Sequence, residues 1–330
     1  MQSTETTPLF SQASRSLTWT ESVPLRLKPY IELARIDSFI GNPLIFWPCA
    51  WGLTLSTRYV LLQWYLVTYA KQLGIWLLWS ILLHSVGSIW NDICDINVDR
   101  QVERTKSRPL PSGKISIVSA LLFMIPQVLV MLLLLFRFND RTILAGLIQL
   151  FFFTPLFPLM KRITALSQVW LGLTFAWGVI GPWLGNLVIV AVSWQILSAL
   201  VAFGTVWITY SYTLYAMVDR SEHHAAGIKS TALLLGEHGK PLLSCLAGLF
   251  VIGLAQIGVL THQGSVYFLI SVCGGAAHLV WQMSTIDLND PVSCMARFKS
   301  NGGELGYVIW IGMLLDSIFW KFWILHGLNL

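Results

Sequence analysis

Apolar runs of about 20 residues, the length that crosses a bilayer core, recur along nearly the whole of this chain. Their approximate centres fall near residues 46, 82, 126, 150, 176, 205, 251, 274 and 315. A backbone inside lipid must satisfy its own hydrogen bonds, so only helices or a closed barrel can span it. A barrel would show segments of about ten alternating residues, whereas these runs are continuous. The expected fold is therefore all-α: an integral membrane bundle of about nine transmembrane helices, with the seventh and eighth least cleanly separated. Composition agrees, since 11% of the 330 residues are charged, against about 25% in an ordinary soluble domain.

The basic residues sort by side. With the N-terminus in the cytosol and each run crossing once, Arg58, Lys71, Arg137, Arg141 and Lys321 fall across the membrane; the other sixteen lysines and arginines fall on the N-terminal side. That asymmetry obeys the positive-inside rule. It accounts for the formal charge of +5 without a nucleic-acid partner. Residues 1–30 are expected to be a polar, disordered segment ahead of a single transmembrane domain over 31–330. The segment lacks the apolar core of a secretory signal, and Glu5 and Glu21 make it a poor mitochondrial transit peptide. Cys49, Cys94, Cys245, Cys273 and Cys294 show no paired spacing and are expected to behave as small apolar residues.

The segment NDICDINVDR, residues 91–100, closes the second apolar run. Asp92, Asp95 and Asp99 are spaced three then four, so on a helix they share one face, with Asn91 beside them. Carboxylates packed this closely repel or take up protons unless a cation lies between them. Mg²⁺ suits the spacing, because it accepts one or two protein carboxylates and completes its octahedron with phosphate oxygens. A second cluster repeats the pattern, with Asp219, Glu222 and His223 at i, i+3 and i+4. Two such helix ends facing one another could hold a diphosphate between metal ions. Arg104, Lys106 and Arg108 follow the first cluster, Lys229 follows the second, and Lys161 with Arg162 ends the fourth run. All six are candidates for the remaining diphosphate oxygens. A single acidic pair at a helix end is usually just solvated; ionisable groups at a membrane edge are functional by default.

Three stretches in this order, NDICDINVDRQVERTKSRPLPSG (91–113), FPLMKRITALSQVWLGLTFAWG (157–178) and YAMVDRSEHHAAGIKST (215–231), resemble the UbiA-type polyprenyltransferases. That group contains the 4-hydroxybenzoate polyprenyltransferases and a fungal meroterpenoid branch. The likeness begins near ELARID, which carries Arg35, and runs at least to LLLGEHGK. It implies helices enclosing a central cavity, with Mg²⁺ and a prenyl diphosphate at its cytosolic mouth. By position, Asn91, Asp92 and Asp95 take the family's first metal-binding roles, Asp99 completes the acidic pattern, Asp219 opens the second motif, and Lys161 falls on a diphosphate-binding lysine. Asp92, Asp95, Asp219 and Lys161 are thus the expected catalytic set. The departures are specific. His223 stands where the family has a further aspartate, and imidazole is a poorer partner for Mg²⁺ than carboxylate, although Glu222 beside it still offers oxygen. Tyr212 replaces an acceptor-side aspartate and His84 replaces a common arginine.

The implied reaction transfers a prenyl group, farnesyl for preference, from its diphosphate to a ring carbon of a phenolic acid in secondary metabolism. Neutralising the leaving group lets the allylic carbon ionise, and the resulting cation needs shelter from water. Trp90, Phe157 and Tyr212 adjoin the motifs and are candidate lining residues, together with His84 and Arg35. Tyr212, His84 or the released diphosphate could take the ring proton. Two alternatives remain open: a cyclase of the same fold that needs no acceptor, and a transporter, which would carry its charges deep in several spans. The expected location is the endoplasmic reticulum with the site facing the cytosol, ahead of the mitochondrial inner membrane.

Overall fold

A computed structural model describes residues 22–36, 42–57, 65–186, 193–218, 220 and 231–326. Twelve helical segments follow one another among these residues. They are α1 (Lys28–Leu33), α2 (Asn42–Ser56), α3 (Tyr65–Cys94), α4 (Ile96–Asp99) and α5 (Ile117–Leu135). Next come α6 (Asp140–Ile163), α7 (Ser167–Asn186), α8 (Trp194–Val218) and α9 (Thr231–Leu235). The chain ends with α10 (Gly239–Leu260), α11 (Ser265–Thr285) and α12 (Pro291–Phe322). Each of the nine expected centres falls inside one of the long helices. Seven helices, all but α2 and α7 among the long ones, meet the length and hydropathy needed to cross a membrane within the described residues. The expected count of nine crossings is thus not established. α1 starts at Lys28, so helix begins within the segment expected to precede the domain; residues 1–21 lie outside the described residues.

The outward faces are apolar because the solvent there is lipid. On α5 only 11% of the apolar window is buried, and Val118, Leu122, Ile125, Leu129 and Leu133 are exposed at steps of three and four, one continuous helical stripe. α8 is the opposite case, with 56% of its window inside the bundle. It packs against α7, α10 and the start of α12, while α7 also packs along α2. Where α7 meets α2 and α8, its neighbours are protein and small residues line the contact. A Cβ on Gly52 of α2 would stand 2.3 Å from the Val179 carbonyl oxygen, and one on Gly172 would stand 2.5 Å from that of Thr205. Close backbone approach of this kind is the usual substitute for a hydrophobic drive between helices in lipid.

Three long helices are interrupted by π-turns, at Gln149–Phe153, Phe268–Gly274 and Asn301–Leu305. In α6 the cause is local. Pro155 and Pro158 have no amide hydrogen to donate, and tryptophan side chains bond carbonyls beside them. Trp170 Nε1 donates to Phe153 O at 3.1 Å and Trp90 Nε1 to Pro155 O at 3.0 Å. The break in α12 is treated in the same way, with Trp47 Nε1 donating to Gly302 O at 2.6 Å and Trp51 Nε1 to Gly306 O at 3.4 Å. Trp76 and Trp79 are buried packing residues. Cys49 and Cys294 are buried, Cys94 is half-buried, and Cys245 and Cys273 are exposed, so the last two are small apolar residues on the outer surface rather than in the core.

Candidate functional site

α3 delivers the first acidic motif, but not as one unbroken helix. Its α-helix stops at Cys94, Asp95 has φ −99° and ψ 8°, and the single turn of α4 follows. The i−4 bonds from Asp95 N to Asn91 O (2.9 Å) and from Asp99 N to Asp95 O (2.8 Å) survive the break. Asp92, Asp95 and Asp99 consequently stay near one another and are all buried, Asp92 with 1% exposure. Buried carboxylates must be paired or they cost several kcal/mol, roughly 3–5 when one partner is removed.

Four cations do the pairing, from three separate parts of the chain. Arg35 Nη2 donates to both Asp92 oxygens, at 2.8 and 2.6 Å. Arg108 Nη1 donates to Asp92 and Asp99, each at 3.2 Å. Lys161 Nζ donates to Asn91 Oδ1 and, at 3.0 Å, to Asp95, and Arg162 lies 3.8 Å from the other Asp95 oxygen while donating to Cys94 O at 2.6 Å. Burial pushes the Asp99 carboxyl up from its ordinary value, with Arg108 opposing the shift. Burial and the neighbouring Arg35 pull the Arg108 guanidinium down, against Asp92 and Asp99. Among the described residues, four guanidinium or ammonium groups face these three carboxylates, a concentration of cations suited to an anion.

Local structure explains how each cation arrives. Arg35 has φ 57°, the left-handed region that costs a non-glycine residue about 1–2 kcal/mol. It sits just past the end of α1, where Arg35 N donates to Glu32 O and Ile36 N to Ile31 O, both at 3.2 Å; this is the paired-bond stop usually served by glycine. The strain is offset by the Asp92 pair, so an arginine at this position has a reason that a helix stop alone does not supply. Arg108 returns over the end of α3 because its loop folds on itself: Thr105 Oγ1 donates to Asp99 O at 2.9 Å and Arg100 Nε to Pro111 O at 3.2 Å. Lys161 sits near the end of α6, whose π-turn is braced by α3 and α7, with Gln149 Nε2 donating to Thr174 O at 3.0 Å and Trp79 Nε1 to Gln149 Oε1 at 3.3 Å.

The remaining candidates divide. Lys106 does not join the cluster; it pairs with Glu103 at 2.5 Å on the exposed side of the loop, because its i−3 neighbour is nearer than the buried acids. Arg104 stands over the Tyr215 ring at 5.6 Å, close enough to add to the field on Arg108. Trp90 is committed to Pro155 O and acts as a brace. Phe157 lies beneath the Lys161 ammonium at 4.8 Å, a cation–π contact. The Tyr212 ring meets Phe175 at a tilt and Tyr215 and Phe298 edge-on, with centroids 6.1, 6.2 and 5.4 Å apart. His84 and Tyr212 are both half-buried. His84 lies within electrostatic reach of Arg35. His278 is a packing residue, bonded to Ser300 Oγ at 3.0 Å and tilted against the Trp281 ring at 5.2 Å. Asp219, Glu222, His223 and Lys229 lie outside the described residues.

The oxygen donors fit a hard divalent cation. Asn91, Asp92 and Asp95 offer amide and carboxylate oxygens within about one turn, the donor type Mg²⁺ prefers. Among the described residues no three histidine, cysteine, aspartate or glutamate side chains come together in a group that could hold a metal ion.

Comparison with known proteins assigns the family. The UbiA prenyltransferase family model matches residues 45–315. The chain is 40% identical over 291 residues to UbiA prenyltransferase claS of Ampulloclitocybe clavipes, covering 88% of this chain and 91% of that one. It is 34% identical over 310 residues to the mitochondrial 4-hydroxybenzoate polyprenyltransferase of Schizosaccharomyces pombe, covering 93% and 84%. Its fold matches a UbiA homologue from Aeropyrum pernix K1 with a TM-score of 0.67 at 19% identity, over 84% of this chain and 98% of that one. It also matches a UbiA homologue from Archaeoglobus fulgidus bound to GPP and Mg²⁺, with a TM-score of 0.64 at 18% identity, over 88% and 99%. A multi-pass membrane bundle with a buried acid and base cluster at the end of its second long helix, this chain belongs to the UbiA prenyltransferase family, and it is a prenyltransferase.

Proposed function

We propose that the protein transfers a farnesyl group from its diphosphate to a ring carbon of a phenolic acid, in a meroterpenoid type of secondary metabolism. The observation that carries this reading is the buried cluster of Asn91, Asp92 and Asp95 interlocked with Arg35, Arg108, Lys161 and Arg162. Its charges are those a diphosphate needs, and they are already oriented, so little reorganisation accompanies the reaction. Asn91, Asp92 and Asp95, with Asp219 and Glu222 from the second motif, would hold Mg²⁺, which supplies Lewis-acid neutralisation of the leaving diphosphate.

Lys161, Arg108 and Arg35 bind the diphosphate oxygens and stabilise the charge that grows as the C–O bond breaks. The allylic cation is left among apolar walls, where Phe157 and Tyr212 present aromatic faces and the lipid-embedded bundle excludes water. His84 carries the acceptor side of the reading. It lies within electrostatic reach of Arg35, and its ring can accept a phenolic proton or donate to a carboxylate. The aromatic acceptor is also the class named for the S. pombe relative. The membrane is proposed to be the endoplasmic reticulum with the site open to the cytosol; the S. pombe relative's mitochondrial designation makes fractionation of the expressed protein the deciding observation.

The test is a membrane assay that crosses geranyl, farnesyl and geranylgeranyl diphosphates with a panel of phenolic acids, with products identified by mass. A farnesylated phenolic acid formed only with Mg²⁺ is the expected result. A hydrocarbon made from farnesyl diphosphate without acceptor would replace transfer with cyclisation.

A further inference from the structure

Two kinds of cation have a claim on Asp92. Its carboxylate belongs to the oxygen set suited to a hard divalent ion, yet its two oxygens accept three hydrogen bonds from the protein itself. Arg35 Nη2 donates to them at 2.8 and 2.6 Å and Arg108 Nη1 at 3.2 Å. A carboxylate has about four lone-pair sites, so most of this one is committed. Asp95 is held in the same manner, with one oxygen 3.0 Å from Lys161 Nζ and the other 3.8 Å from Arg162 Nη2, and Asn91 Oδ1 accepts from Lys161. The oxygens that a divalent ion needs are the oxygens that the fixed cations hold.

Burial sets the order of approach. Asp92 is 1% exposed, whereas the Arg35 and Arg108 side chains against it are each 19% exposed. The guanidiniums cover the carboxylate, so an incoming ligand meets positive charge first. A divalent ion arriving alone is repelled at such range; a diphosphate is attracted, and guanidinium donors match its oxygens. Arg35 is the easier of the two to exchange. Arg108 bridges two acids, Asp92 and Asp99, whereas among the described residues Arg35 pairs with Asp92 alone. Both bonds from Arg35 leave a single nitrogen, which is not the two-nitrogen fork of the strongest arginine–carboxylate pairs.

We infer that Arg35 is an exchangeable stand-in for a divalent cation on Asp92. It neutralises the buried carboxylate until a diphosphate engages its guanidinium, and only then yields the Asp92 oxygens to the metal. Metal and diphosphate therefore load together, each tightening the other. The inference rests on the reading that the first motif holds a divalent cation and a prenyl diphosphate.

The test is Mn²⁺ binding to the purified full-length protein in detergent, read from the EPR signal of free Mn²⁺, an ion that takes the same oxygen ligands as Mg²⁺. Inhibition of turnover by inorganic pyrophosphate supplies the anion side. Arg35→Gln is expected to bind Mn²⁺ alone about tenfold more tightly, and to show a pyrophosphate inhibition constant about tenfold higher, the effect of removing one charged hydrogen-bond partner from each. The opposite signs are the signature, because a merely structural role for Arg35 would weaken both. The tightened Mn²⁺ site should vanish when Asp92→Asn is added. Arg35→Lys keeps the charge but not the donor pattern, so it should also tighten Mn²⁺ binding; should Arg35→Gln fail to fold, this variant reads the same competition. Mn²⁺ binding that is unchanged or weaker in Arg35→Gln, or tighter there but not in Arg35→Lys, overturns the inference. Asp92→Asn separates the two levels: pyrophosphate release at the wild-type rate in that variant removes the underlying reading, whereas loss of release there beside unaltered Mn²⁺ binding in Arg35→Gln removes only the exchange.

Discussion

The end of α3 and the middle of the bundle are both buried, but they are held by different forces. At the end of α3 every described carboxylate of the first motif has a named cation against it, drawn from α1, the loop after α4 and the end of α6. In the middle, Trp51, Phe203, Trp207 and Phe250 meet ring to ring, with centroids 4.9 to 5.5 Å apart for Trp51–Phe203, Trp51–Trp207, Phe203–Phe250 and Trp207–Phe250. The first region is specified by charge, which loses its purpose when one partner changes; the second is specified by volume, which loses stability when it is hollowed. Function and fold should therefore fail separately when the two are attacked.

The largest effect expected from breaking the comparison comes from removing the metal. Chelation with EDTA should abolish turnover in the charged region while the unfolding temperature set by the aromatic region stays within a few degrees, and added Mg²⁺ should restore product. Lys161→Ala comes next. It removes one donor aimed at the leaving group and should lower kcat about 10²-fold, with the loss of stability kept small because Arg162 stays beside Asp95. Trp51→Ala reverses the pattern: it should destabilise the protein by about 3–5 kcal/mol, as expected for emptying a large buried site, while the variant that remains folded keeps most of its turnover. The smallest effect sharpens the account of Arg35. Arg35→Ala and Arg35→Gly both lose the Asp92 pair, but glycine relieves the left-handed strain, so the glycine variant should be about 1 kcal/mol the more stable in denaturant unfolding.

Much of the charged region was legible in residue spacing, and little of its detail was. Asp92, Asp95 and Lys161 stand out because acids at helical spacing beside a membrane have few other uses. Arg35 is a lone arginine 57 residues from its partner, and only the strained backbone shows that it is aimed. Lys106 looks from sequence as suitable as Arg108; the two are separated by a loop that sends one inward and leaves the other with Glu103. The nine helix centres were visible because lipid imposes a long apolar run on each outward face. The π-turns were not, since a proline such as Pro155 marks a weak point without saying which break results, and the tertiary neighbours Trp47 and Trp170 that bond carbonyls there are distant in sequence. Trp90, expected to line the reaction space, is one such neighbour.

The most direct test of the central claim is pyrophosphate release by Asp92→Asn, a change that keeps shape and removes one charge from the cluster. With folding verified by an unaltered gel-filtration profile in detergent, release from farnesyl diphosphate in the presence of Mg²⁺ and acceptor should fall about 10³-fold. Release at the wild-type rate would contradict the account.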